Sequence, residues 1–211
     1  MATGRKYIAV AGNMGVGKSS LVRFLCAHFK LTPFYEPNEE NPYLKDFYGD
    51  MERWAFHSQM YFLAQKFRIH QELERARSKV TVVQDRTIYE DAEIFAQNLS
   101  RSRKMGRRDW ETYQALYQSI LRALRPPDLM IYVRADLRTV RKRIKSRGRP
   151  EEQGVPTAYL RRLNRLYEEW FARYDLSPTL VIETDRLDYV ERLFDRLEVA
   201  RAIREHVGLT T

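Results

Sequence analysis

Eight consecutive residues near the start of the sequence have the types and spacing of a phosphate-binding loop. The run Gly12-Asn13-Met14-Gly15-Val16-Gly17-Lys18-Ser19 matches the pattern G-x-x-x-x-G-K-[ST] in full. Glycines allow the backbone to fold tightly, so that successive N–H groups point at phosphate oxygens. Lys18 can reach the outer phosphates, and the Ser19 hydroxyl can ligate Mg²⁺. We therefore predict a nucleoside triphosphate site formed by this run and Ser20.

A carboxylate and an arginine follow a later hydrophobic run. Asp85 and Arg86 come directly after residues 80–84, which have the β-branched composition of a buried strand. The carboxyl ends of parallel strands face the ligand crevice of a sheet. We expect Asp85 to help hold the metal there, and Arg86 to reach an acceptor or a phosphate.

A second carboxylate, Glu36, closes the short hydrophobic run Phe34-Tyr35. A hydroxyl acceptor must lose a proton as it attacks a γ-phosphorus, and a carboxylate within hydrogen-bond reach can accept that proton. A phosphate acceptor needs no such base and requires arginines instead. Glu36 therefore favours a nucleoside over a nucleotide as the acceptor.

Other classes of protein carry the same kind of loop. A GTPase uses N-K-x-D to bind guanine, and this motif does not occur in the sequence. The length of 211 residues is too short for most P-loop motors. A small-molecule kinase is the class that these residues favour.

The formal net charge of +9 indicates an anionic partner, for which nucleic acid, a nucleotide and an anionic membrane all qualify. The positive charge is clustered. Seven of the twelve residues from 138 to 149 are basic, as are five of the eight from 101 to 108. Such clusters suit a compact polyphosphate as well as a duplex, so charge alone does not choose between them.

Composition places the chain among cytoplasmic globular proteins. Hydrophobic residues make up 44% of the sequence, which is enough for a sizeable core. A single cysteine excludes an internal disulfide framework and suits a reducing compartment. The apolar runs are too short for a signal peptide or a membrane span. No linker divides residues 1–211, so we predict one domain.

Strand-like and helix-like segments alternate along the chain. Strands are predicted at 6–11, 32–35, 80–84, 128–133 and 179–184. Helices are predicted at 18–29, 52–77, 90–99, 109–124, 137–145, 156 to about 173, and 189–206. This alternation predicts an α/β fold with a mainly parallel sheet of about five strands and helices on both faces.

Several segments, found together and in order, resemble the deoxyribonucleoside kinase family, in particular its bacterial deoxyadenosine kinase branch. They are the phosphate loop, Tyr35-Glu36-Pro37, Asn41-Pro42-Tyr43-Leu44, Glu52-Arg53-Trp54-Ala55-Phe56-His57-Ser58-Gln59, Asp85-Arg86-Thr87-Ile88-Tyr89-Glu90-Asp91 and Arg147-Gly148-Arg149-Pro150-Glu151-Glu152-Gln153-Gly154. The resemblance covers almost the whole chain and implies a P-loop kinase fold.

The implied activity is ATP-dependent phosphorylation of the 5′-hydroxyl of a deoxyribonucleoside in the presence of Mg²⁺. The expected acceptor is deoxyadenosine, with deoxyguanosine and deoxycytidine as alternatives. The general base of the family falls on Glu36, and the arginine beside that base falls on Arg86. A positive charge at Arg86 would hold the 5′-oxygen and keep Glu36 ionised.

The resemblance also assigns the sugar and base contacts. The 3′-hydroxyl is held in the family by residues that match Tyr48 and Glu152, and the base is read by an amide that matches Gln59. This amide can accept one hydrogen bond and donate another, as adenine and cytosine both require. Asp91 matches the acidic partner at the base edge. Many members have arginine where this chain has Lys66, which lies on the same helix face as Gln59.

Residues 143–154 match the arginine-rich lid of the family. The lid arginines Arg143, Arg147 and Arg149 would close over the transferring phosphoryl group, neutralise its charge and exclude water. The family implies a homodimer, and neither nucleic acid nor a membrane is expected as a partner. The basic segment 101–108 falls on a variable loop of the family.

Two other interpretations stay open at this point. A thymidylate-type monophosphate kinase shares the loop, the Asp-Arg pair and the arginine lid, but fits Glu36 poorly. A nucleic-acid-binding protein that uses ATP as a switch would account for the positive charge, but the aromatic residues have helical, core-like spacing. The preferred base and the preferred phosphate donor are likewise undecided.

Overall fold

The computed structural model describes residues 5–36, 41–149, 152, 154–185, 187 and 192–208. At its centre is a five-stranded sheet with the spatial order β2-β3-β1-β4-β5, in which every pairing is parallel. The strands are β1 (Tyr7–Ala11), β2 (Thr32–Phe34), β3 (Val82–Asp85), β4 (Leu129–Arg134) and β5 (Thr179–Glu183). The predicted α/β fold with a mainly parallel sheet of five strands is confirmed.

Helices cover both faces of this sheet. They are α1 (Lys18–Phe29), α2 (Leu44–Gly49), α3 (Met51–Arg77), α4, α5 (Arg107–Leu121), α6 (Leu137–Arg147), α7 (Thr157–Phe171) and α8 (Leu193–Val207). Helix α4 runs as α-helix over Ile88–Glu90, as π-helix over Asp91–Ala96 and as α-helix again over Gln97–Arg101. Within the described part of the chain, no helix has the length and apolar character needed to cross a membrane.

The central strand β1 shows why the strands are hydrophobic along their whole length. Tyr7, Ala9 and Ala11 pack into one core cluster, whereas Ile8 and Val10 pack into another on the opposite face. A parallel sheet covered by helices on both faces has no wet side, so its strands carry continuous apolar runs. The same alternation recurs along β4.

Most predicted elements begin and end within three residues of the observed ones. The last helix was predicted from 189 and is described from Leu193, with residues 188–191 outside the described part. Helix α2 was not predicted. It buries only Phe47, so it lacks the periodic apolar pattern that identifies a longer helix.

The strand order brings three carboxyl ends together at one edge of the sheet. Tyr35 and Glu36 follow β2, Arg86 follows β3, and Gly12 follows β1. Because β3 lies between β2 and β1, these residues are neighbours. In open parallel sheets, ligands bind in the crevice outside these ends. The predicted chemistry-bearing residues therefore meet at this edge.

Candidate active site

The phosphate loop connects β1 to the N-terminus of α1. Gly12 has φ 147° and Gly15 has φ 73°, both in the region that disfavours side chains. A Cβ atom at Gly12 would lie 2.4 Å from the Val133 carbonyl oxygen, and one at Gly15 would lie 2.6 Å from Cγ1 of Ile144. Glycine is therefore required at both positions by backbone angle and by space.

Asn13 attaches the loop to helix α7. Its Nδ2 donates to the Leu160 carbonyl at 3.2 Å and to Oδ1 of Asn164 at 2.6 Å. Its own Oδ1 accepts from the backbone N–H of Met14 at 2.8 Å. The loop conformation thus depends on a helix far along the chain as well as on its glycines.

Lys18 is buried inside the loop that it serves. Its Nζ donates to the Asn13 carbonyl at 3.1 Å. Burial, together with the nearby positive charge of Arg86, lowers the pKa of Lys18 to about 8. A phosphate anion beside this ammonium would compensate for the hydration that burial removes.

Ser19 and Asp85 meet at the base of the crevice. The Ser19 hydroxyl donates to Oδ2 of Asp85 at 2.5 Å. The other oxygen, Oδ1, is buried and has no hydrogen-bond partner among the described residues. A hydroxyl and a carboxylate oxygen are the ligand types that Mg²⁺ prefers, and this ion commonly keeps one or two protein ligands beside phosphates and water. The donor set fits the predicted metal site.

Glu36 and Arg86 form a buried ion pair on the wall of the crevice. Nη1 of Arg86 donates to Oε1 of Glu36 at 2.8 Å and to Oε2 at 3.0 Å. Arg86 has the left-handed φ of 61°, an unusual conformation for a residue with a side chain. Its N–H donates to the Val10 carbonyl at 3.0 Å, which fixes this turn against β1.

Lys66 lies beneath this ion pair. Only 1% of the surface of Lys66 is exposed. Its Nζ donates to the Arg86 carbonyl at 2.7 Å and lies 3.9 Å from Oε1 of Glu36. The sequence places Lys66 on the same helix face as Gln59, and the structure brings its ammonium to Glu36 and close enough to Asp91 to lower the pKa of that carboxyl. Two cations therefore stabilise the negative charge of Glu36.

A cavity of about 810 Å³ joins the phosphate loop to helix α3. Its lining includes the predicted substrate residues Glu36, Tyr48, Gln59, Arg86, Asp91 and Glu152 and the lid residues Arg147 and Arg149. Oε1 of Gln59 and Oδ2 of Asp91 are buried without hydrogen-bond partners in the described residues. Buried polar atoms without partners at a cavity wall are available to hydrogen-bond a ligand there.

Asp91 is the first residue of the π-helical stretch of α4. Burial raises its pKa to about 7, an effect opposed by the positive charge of Lys66 and reinforced by Glu36. The carboxylate therefore changes charge within the physiological range. π-Helical turns often occur at functional sites, because the extra residue redirects side chains.

The three lid arginines have different surroundings. Arg143 donates to the Val16 carbonyl at 2.8 Å, and to both the side chain and the carbonyl of Thr184 at 2.8 Å. Arg147 pairs with Glu152, and Arg149 lies 3.7 Å from the same carboxylate. Arg143 thus fastens α6 to the phosphate loop, whereas the other two face the cavity. The remaining lid residues 150, 151 and 153 lie outside the described part.

Glu90 is a site residue to which the sequence analysis gave no role. Its carboxylate accepts from the N–H of Gly12 at 3.1 Å, the N–H of Thr87 at 2.8 Å and the Tyr167 hydroxyl at 2.9 Å. The available sequence signal was the capping-box pattern T-x-x-E, which Thr87 and Glu90 form at the start of α4.

A parallel sheet with a phosphate loop after β1, and a carboxylate–arginine pair in the adjoining cavity, defines a P-loop kinase that phosphorylates a small acceptor. The family model for deoxynucleoside kinases matches residues 8–208. The chain therefore belongs to the deoxynucleoside kinase family, and it is an enzyme that phosphorylates a deoxynucleoside.

Individual relatives agree on the family and differ in the base. The chain is 36% identical to the deoxyadenosine/deoxycytidine kinase of Bacillus subtilis over 86% of this chain and 83% of that protein. It is also 36% identical to a deoxyguanosine kinase of Lactobacillus acidophilus over 90% of this chain and 85% of that protein. The structure of deoxyadenosine kinase from M. mycoides with bound dATP is similar, with a TM-score of 0.80, 29% identity, and coverage of 95% of this chain and 100% of that one.

Proposed function

We propose that the enzyme transfers the γ-phosphoryl group of ATP to the 5′-hydroxyl of deoxyadenosine, with deoxycytidine as a second substrate. The observation that carries this proposal is the buried Glu36–Arg86 pair beside the phosphate loop. A monophosphate acceptor would meet a carboxylate where its own negative charge needs cations. The test is a coupled ATP-consumption assay with the four deoxynucleosides, dTMP and adenosine. Turnover of dTMP without turnover of any deoxynucleoside would exclude the proposal.

Catalysis in this proposal is divided between the two sides of the crevice. Glu36 accepts the proton of the 5′-hydroxyl, and Arg86 holds the 5′-oxygen in line with the phosphate. Lys18 and the backbone N–H groups of the loop hold the phosphates of ATP. Lys66 holds the Arg86 backbone, and thereby helps to fix the position of Glu36, the general base.

Ser19 and Asp85 would hold Mg²⁺, which neutralises phosphate charge when bound. Tyr48 and Glu152 would hold the 3′-hydroxyl of the sugar. Arg147 and Arg149 lie on the cavity wall beside Glu152, where they would screen the transferring group from water.

The base preference follows from matching donors to acceptors. Gln59 can satisfy the amino group and the ring nitrogen of adenine with one amide, and Asp91 can accept the second amino hydrogen. Guanine places O6 where Asp91 needs a donor. The Lys66 ammonium, which could offset that mismatch, already donates one of its hydrogens to the Arg86 carbonyl at 2.7 Å. These contacts support adenine over guanine.

We expect kcat/KM for deoxyadenosine to exceed that for deoxyguanosine by roughly 5- to 150-fold, because a buried mispairing costs about 1–3 kcal/mol. The measurement compares the two substrates at saturating ATP. Replacing Asp91 with asparagine should reduce this ratio, since the amide can donate toward O6. Equal values, or a preference for guanine, in the unsubstituted enzyme would refute the assignment of Asp91 and Lys66.

The pKa of Asp91 predicts a pH dependence. Since that pKa is about 7 and the ionised carboxylate accepts the amino hydrogen more strongly than the neutral acid does, kcat/KM for deoxyadenosine should rise with pH. The ionised fraction grows about tenfold between roughly pH 6 and pH 8, which sets the upper bound of the rise in kcat/KM. In the Asp91→Asn variant, this rise of kcat/KM with pH should be absent. A rise that persists in the variant would assign the titration to another group.

The assembly and location of the enzyme are also proposals. We infer a cytoplasmic homodimer from the resemblance to the family and from the use of a single cysteine. Light scattering from the purified protein would give the mass of the assembly directly. A monomeric mass would exclude the dimer.

A further inference from the structure

Glu90 is a buried carboxylate that has no step in the proposed mechanism. It is fully enclosed, with 0% of its surface exposed, and lies in the first turn of α4. Proteins retain a buried charge where hydrogen bonds and opposite charges compensate its lost hydration. The identity of its partners therefore shows what the residue holds in place.

These partners come from three separate segments. Oε1 accepts from the N–H of Gly12 and from the Tyr167 hydroxyl, and Oε2 accepts from the N–H of Thr87. Oε1 also lies 3.8 Å from Nε of Arg86. The phosphate loop, the turn from β3 into α4 and helix α7 thus meet at one carboxylate.

Two of these partners have backbone conformations that need external support. Gly12 has φ 147° and Arg86 has φ 61°. Such conformations persist where surrounding contacts determine them. Gly12 begins the loop that would hold ATP, and Arg86 contacts the carboxylate that would deprotonate the acceptor. Glu90 contacts both, through a hydrogen bond from the Gly12 N–H and an ion pair with Arg86.

We propose that Glu90 is a positioning residue for phosphoryl transfer, which holds the donor loop and Arg86 in a fixed relation to each other. The inference rests on the proposed function, because the two sides are those between which phosphate passes. It assigns no contact with substrate to Glu90. Tyr167 is the second residue of this arrangement, since its hydroxyl, on α7, donates to the Glu90 carboxylate.

The consequence of a loss of Glu90 would be a small displacement of reacting groups. A misplacement of about 1 Å can cost roughly 10²-fold in rate. The loss should appear in kcat and in KM for ATP. KM for the deoxynucleoside should change less than KM for ATP, because Gln59 and Tyr48 would still hold the base and the sugar, and only the contact of Arg86 with the 5′-oxygen would be disturbed.

Three variants test this inference. Glu90→Gln keeps the shape but places an amide donor against the N–H of either Thr87 or Gly12. Tyr167→Phe removes one donor and leaves the carboxylate in place. Tyr132→Phe is the matched control, because it removes a hydroxyl of the same kind that donates to Glu168 at 3.0 Å and not to Glu90.

We expect Glu90→Gln to lower kcat/KM for ATP by roughly 10- to 100-fold, and Tyr167→Phe to lower it by about 3- to 10-fold. Tyr132→Phe should change it by about twofold or less. The Glu90→Gln/Tyr167→Phe double variant should match Glu90→Gln alone, because both substitutions act through one carboxylate. Thermal unfolding of each variant reports its folding independently.

The inference is overturned if folded Tyr167→Phe has the kinetics of the unsubstituted enzyme. If Glu90→Gln does not fold, the kinetics of Tyr167→Phe alone test the role of Glu90. It is also overturned if both KM values rise together, as a general loss of structure would cause. Binding of a non-hydrolysable ATP analogue, measured without acceptor, tests the role of Glu90 independently of the proposed function. Inactivity of the unsubstituted enzyme on every deoxynucleoside would reject that function, whereas equal analogue affinities in the tyrosine variants would reject the role of Glu90.

Discussion

Lys18→Ala is expected to abolish ATP-dependent phosphorylation, with a loss of about 10³-fold or more. The Lys18 ammonium is buried within the loop, and the carbonyl to which it donates, that of Asn13, belongs to the same loop. Removing it leaves the phosphates of ATP without both a positioning group and a neutralising charge. Initial rates with deoxyadenosine and saturating ATP measure the effect, and equilibrium binding of ATP shows whether the loss begins at binding.

The variant is expected to fold, because burial of the Lys18 ammonium carries a desolvation cost that alanine does not. The exposed Lys79 at the end of α3 provides a control that removes the same charge. Lys79→Ala should keep the full rate. Residual activity in a folded Lys18→Ala protein close to that of the control would show that the loop does not hold the donor in the manner proposed.

Glu36→Gln is expected to lower kcat by roughly 10²- to 10⁴-fold while deoxynucleoside binding changes little. The amide keeps the size of the side chain and one acceptor oxygen for Nη1 of Arg86, but it cannot take up the hydroxyl proton. A base acts mainly in the transition state, so the loss belongs in kcat. Steady-state kinetics and direct binding of deoxyadenosine together separate the two effects.

The exposed Glu72 on α3 gives the matched control, and Glu72→Gln should have the kinetics of the unsubstituted enzyme. Unchanged kcat in Glu36→Gln would remove Glu36 from the role of base. A parallel loss of deoxynucleoside affinity would instead indicate that the carboxylate mainly binds the sugar.

The fold was predictable because its determinants are local and periodic. β1 and β4 are continuous apolar runs, and α3 is long enough to show helical spacing throughout. Helix α2 escaped prediction because its packing depends on α3, which no short window of sequence reveals. The π-helical turn over Asp91–Ala96 escaped because one extra residue per turn leaves no distinctive pattern in residue types.

Those parts of the site were predictable in which the type of a residue and its place after a strand together indicate its chemistry. The loop, Glu36 and Arg86 meet at the crevice as their positions after parallel strands indicated. Lys66 differs, because a long side chain in a helix can turn toward either of two neighbours, and the left-handed Arg86 carbonyl that attracts it is a tertiary feature. Arg143 likewise meets the Val16 carbonyl, a partner 127 residues away in sequence.

The position of β1 in the sheet has a consequence for biosynthesis. Tyr7 pairs with Val82 and Ile8 pairs with Leu129, so the first of the five strands in chain order lies between two strands that are synthesised later. Closing such long loops costs chain entropy before any contact repays it, and parallel pairings of this kind form slowly. β1 therefore has no strand partner until β3 has been synthesised, and its other side stays open until β4 follows. During that interval, this hydrophobic segment is exposed to aggregation and to binding by a chaperone.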